Sequence, residues 1–73
     1  MNDALVAQSK KLFQIAEELE KAAAHAKIAA DHFNSGEVPR ACAHSFAAEG
    51  HIAVASETLS LVAREHRLKA KLE

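Results

Sequence analysis

Backbone-breaking residues collect in one place in this chain. Of two Gly and one Pro in 73 residues, Gly36 and Pro39 both fall in "NSGEVP", residues 34 to 39. Asn34 and Gly36 tolerate the left-handed conformation that ends a helix. Pro39 suits a first helical turn, where its missing N–H costs nothing. The stretch therefore predicts a helix stop followed at once by a helix start. On both sides the chain is rich in Ala, Leu, Glu and Lys and lacks Tyr and Trp, so strands have almost nowhere to form.

Helix 1 is expected over about residues 3 to 34, with Asn2 or Asp3 as its cap. Its apolar residues Leu5, Leu12, Leu19, Ala26 and Phe33 recur at a spacing of seven, accompanied by Ile15, Ala22 and Ala29. A turn is expected at about 35 to 38, and helix 2 from about 38 to 71, capped by Ser35 or Glu37. Helix 2 carries Ala41, Ala48, Ala55 and Val62, an adjoining row of Ser45, Ile52 and Leu59, and a separate row of Ala47, Val54, Leu61 and Leu68. A loop this short makes the helices antiparallel neighbours, a rod about 50 Å long.

The fold class is thus all-α, a two-helix hairpin. The Ala-rich halves next to the turn, with Gly50 among their small residues, are expected to let the backbones approach closely. At the far end Leu5, Leu12, Phe13, Ile15 and Leu19 are expected to meet Leu59, Leu61, Val62, Leu68 and Leu72. A hairpin alone would leave either the Val54, Leu61 and Leu68 row or the Val6 and Phe13 pair facing water. These five residues are the expected interface of a homodimer, or a dimer of dimers, closing into a four-helix bundle.

Several functions are disfavoured by composition. Nine basic and 10 acidic residues give a net charge of -1, without the concentrated basic face that nucleic-acid binding needs. No apolar run approaches the roughly 20 residues that span a bilayer. The start Met without a secretory segment suggests a cytoplasmic protein. Cys42, the only cysteine, excludes an internal disulfide and a zinc site built on Cys pairs. Near a helix start it is also a candidate for redox response. There is no phosphate-binding Gly-rich loop and no assembled nucleophile, so no enzyme is expected and no cofactor is required.

Five histidines stand out. His25 and His32 are seven apart, as are His44 and His51, and the hairpin register places His32 level with His44 and His25 level with His51. A transition metal or haem held by these four is the alternative function. Against it, two ligands on one helix need a spacing of three or four, whereas seven separates them by about 10.5 Å. By the count of about 100° per residue, His25 and His32 should lie on the flank of helix 1, outside its apolar stripe. His44 and His51 are expected to be partly buried, with no carboxylate at helical spacing.

The turn is similar to the hairpin of a tetratricopeptide repeat in the interval from Gly36 to Ala41. The likeness spans about 20 residues, while the helices are more than twice a repeat's length and there is no second copy. The functional expectation is a non-enzymatic helical protein acting through self-association or contact with another protein.

Overall fold

A computed structural model describes residues 2–68 and contains two helices, α1 (Asp3–Asn34) and α2 (Val38–Arg67). The expected all-α hairpin is what the chain forms. Asn2 caps α1, its side-chain oxygen accepting from the Ala4 N–H at 2.8 Å. The expected continuation of α2 to about residue 71 runs beyond Leu68, which already sits at the C-cap, and residues 69 to 71 lie outside the described part. No helix among the described residues is long and apolar enough to cross a membrane.

The turn is a Schellman motif. Gly36 adopts φ 75, the Glu37 N–H donates to the His32 carbonyl at 2.8 Å, and the Gly36 N–H donates to Phe33 at 3.1 Å. Neither expected side-chain cap forms on α2. Ser35 closes α1 instead, while Glu37 occupies the cap position of α2 but sends its carboxylate back to His32. A Schellman turn often brings an apolar contact between these two positions, and here a polar pair takes its place.

The seam between the helices bears out the expected close approach of the Ala-rich halves and corrects the packing expected at the far end. Its buried core is Ala22, Ala29, Ala41, Ala48 and Ala55. Alternating with these, at three- and four-residue steps, are half-buried Lys11, Glu18, His25 and His32 on α1, and His44, His51 and Thr58 on α2. This is a coiled-coil spacing in which one row is mostly small and the other is polar. Ile15 and Val62 are half-buried toward the far end, where Gln8 also donates to Glu65 at 2.6 Å.

The thick apolar end is therefore absent from the hairpin's interior. Leu5, Leu12, Leu19 and Phe33 flank the seam instead of filling it, and with Ile52 and Leu59 they remain 46% to 63% exposed. Methyl side chains fit a close helix approach that leucines would hold apart, so the alanines win the seam. Gly50 plays no part in that approach, because a Cβ built there meets nothing within 4 Å. The expected contact of Leu72 lies outside the described residues.

Candidate histidine chain

The four histidines nearest the turn form one continuous row, contradicting the placement of His25 and His32 on the outer flank. All four are half-buried in the seam. His32 and His44 stack with ring centroids 5.5 Å apart and planes at 17°. His44 and His25 approach to 5.2 Å, with their Nδ1 atoms at a hydrogen-bonding 3.0 Å. His25 then stacks on His51 at 5.5 Å and 14°.

Both expected pairs form, His32 with His44 and His25 with His51, and the contact of His25 with His44 joins the two rungs into a staggered row. Each inner ring touches two rings of the opposite helix, since His44 lies between His32 and His25, and His25 lies between His44 and His51. Supercoiled antiparallel helices produce this arrangement naturally: rows with a seven-residue repeat interleave, and the side chains of one fall between those of the other.

Both ends of the row are tied by carboxylates. His32 Nδ1 donates to Glu37 Oε2 at 2.6 Å, and His51 Nδ1 donates to Glu18 Oε2 at 2.6 Å. Arg40 stands 3.6 Å from the other oxygen of Glu37. The inner end is the more enclosed, with side-chain exposures of 29% for His51 and 24% for Glu18, so solvent screens that pair less than a surface pair. The absence of a carboxylate at helical spacing was no guide here, because Glu18 reaches His51 from the other helix.

The 3.0 Å contact sets a condition on protons. One Nδ1 must carry hydrogen and the other must present its lone pair, so His25 and His44 adopt complementary tautomers. A linear row of this kind can order and share protons. It is poorly suited to chelation: no group of three or more His, Cys, Asp or Glu among the described residues is arranged to hold a metal ion. The four candidate ligands are thus brought together, but in file instead of around a point.

The remaining candidates lie elsewhere. Cys42 is a half-buried free thiol in the second turn of α2. Val6 is half-buried, while Phe13, Val54, Leu61 and Leu68 are exposed, Leu68 at 76%. Sequence reasoning missed the larger apolar surface, in which Leu19, Ile52 and Leu59 line one groove with Ile15, Ala55 and Ser56. Farther along, Leu5 and Val62 line another with Gln8, Glu65 and His66. The seven-residue recurrence of the leucines was the available signal, and it marks an apolar stripe left exposed on the hairpin. No family model matches this chain, and no curated protein or solved structure is significantly similar to it.

Proposed function

We propose that this protein is a non-enzymatic helical scaffold that works by self-association, a second copy covering the apolar face that carries Leu5, Leu12, Leu19, Phe33, Ile52 and Leu59. The observation that carries the reading is the exposure of these side chains over a core of five alanines. Five buried methyl groups offset little of the conformational entropy lost when two long helices become ordered.

The dimensions support the same reading. The molecule measures 52 × 28 × 15 Å, and its smallest extent is close to the thickness of a single helix. One layer of helices has no second layer on which to bury an apolar face. Its accessible surface is 5751 Å². A compact monomer of this mass has roughly 4400 Å², and a typical dimer covers about 800 Å² on each partner. The excess is enough for one such interface.

Two hairpins joined through these apolar faces make a two-fold four-helix bundle. Val54, Leu61 and Leu68, with Phe13 and Val6, are then left for a dimer of dimers or for another protein. Sedimentation at micromolar concentration is the test. At least twice the monomer mass is expected, and a cooperatively folded monomer would refute the reading.

A further inference from the structure

We propose that two copies pack with their turns side by side, α1 of each lying on α2 of the other and Lys27 reaching the partner's Glu49. The inference rests on the self-association reading and adds the arrangement that the second copy adopts.

Beside its seam, α1 carries a second stripe at alternating steps of four and three, in which Leu12, Ala16, Leu19 and Ala23 belong to a run from Leu5 to Phe33 that holds no charged residue. The matching stripe of α2 contains Ile52, Ser56 and Leu59. Both stripes open on one side of the hairpin, where Leu19, Ile52, Ser56 and Leu59 line a common groove. The opposite side of α1, by contrast, carries Lys10, Glu17, Lys21 and Asp31. A face depleted of charge has the composition of an interface core. One carboxylate interrupts it: Glu49, one heptad before Ser56, is exposed and joins no ion pair among the described residues.

Two-fold packing of these faces allows two arrangements. An axis along the helices sets α1 on the partner's α2, with both turns at one end. An axis across them sets each helix on its own copy, with the turns at opposite ends. The first leaves every residue at its own level along the rod, so the register within the hairpin carries over. His25 stacks on His51, and Lys27 lies two residues beyond His25 while Glu49 lies two residues before His51, so Lys27 and Glu49 share a level. Lys27 follows the stripe residue Ala26 and sits on the outer border of the face, from which its flexible stem reaches a carboxylate on the facing stripe. Within one hairpin that border points away from α2, so the contact needs a second copy. The same register sets Leu59 over Ala16, Ile52 over Ala23 and Leu19 over Ser56, each layer joining a large residue to a small one as alanines and histidines do in the seam.

The second arrangement brings Glu20, near the middle of α1, against its own copy. It also sets Glu49 on residues 52–60 of the partner's α2, a stretch with no Lys or Arg. Like charges then meet and the interfacial carboxylate stays unpaired, both of which are unfavourable.

Pulsed electron resonance and sedimentation test the arrangement. A spin label on Ser35→Cys, in a Cys42→Ser background, marks the tip of the turn. Layers about 10 Å apart set the two labels within about 30 Å of each other. A separation near the 52 Å length of the rod overturns the proposal. Charge reversal gives a second readout. Lys27→Glu and Glu49→Lys should each weaken dimerisation by about tenfold, since each alters two contacts per dimer, and the doubly reversed protein should recover to within about threefold of the parent. No recovery overturns the contact of Lys27 with Glu49. A protein that sediments as a monomer refutes self-association and the arrangement with it, whereas a dimer with distant turns refutes the arrangement alone.

Discussion

His25 and His44 meet across the helix seam with their Nδ1 atoms 3.0 Å apart, and that contact joins two halves of a histidine row, each anchored at its outer end by a carboxylate. On its own helix each has only a cation at the usual spacing, Lys21 for His25 and Arg40 for His44. Each gains its role from the opposite helix, which places an imidazole where a core leucine would ordinarily stand. The seam thus combines close packing by alanines with a polar row that has to satisfy itself by hydrogen bonding.

Replacing His44 by Ala removes the ring that touches both His32 and His25, leaving the row broken at its centre. A loss of about 1–2 kcal/mol in unfolding free energy is expected from denaturant titration. His66→Ala, on the exposed last turn of α2, should change stability by less than about 0.5 kcal/mol.

The alanine row should reject larger residues. Ala41 has no exposed surface, so Ala41→Leu forces the helices apart close to the turn and should cost about 1–3 kcal/mol. Ala43→Leu, on the exposed side of the same turn of α2, should be nearly neutral in the same assay.

Which face a second copy covers is decided by two substitutions on one helix. Leu59 lines the groove, while Leu61 projects about 200° away around α2. Leu59→Glu should shift sedimentation toward monomer and lower stability together, because it buries an unpaired charge in the proposed interface. Leu61→Glu should do so only if its own row is also covered, as in a dimer of dimers.

Gly36→Ala tests the turn without disturbing packing. A Cβ at this position meets nothing within 4 Å, so the penalty comes from holding φ at 75. About 1 kcal/mol is expected from the left-handed conformation alone, measured by chemical denaturation.

Glu18→Gln removes the anion from the inner end of the row while preserving side-chain size. His51 then loses its carboxylate partner across the seam, a 2.6 Å contact. A loss of about 0.5–1.5 kcal/mol in unfolding free energy at constant pH is expected from denaturant titration.

Local architecture was legible in the residues around the turn. "NSGEVP" stops one helix and starts another because Gly36 can adopt a positive φ and Pro39 lacks only an N–H that the first turn does not use. The absence of other breakers, apart from Gly50, let the helices run long, and the short loop made them antiparallel. Tertiary structure decided which side of each helix faces inward. The seven-residue spacing of Leu5, Leu12 and Leu19 reveals an apolar stripe, but the same spacing holds for Ala22 and Ala29 and for His25 and His32. Periodicity cannot choose among parallel stripes. Close approach favours the alanines, and cross-helix bonds such as Glu18 to His51 satisfy the polar row beside them. That bond joins residues 33 positions apart in sequence, beyond the reach of any local spacing rule, and only the staggered docking of the two helices brings them together.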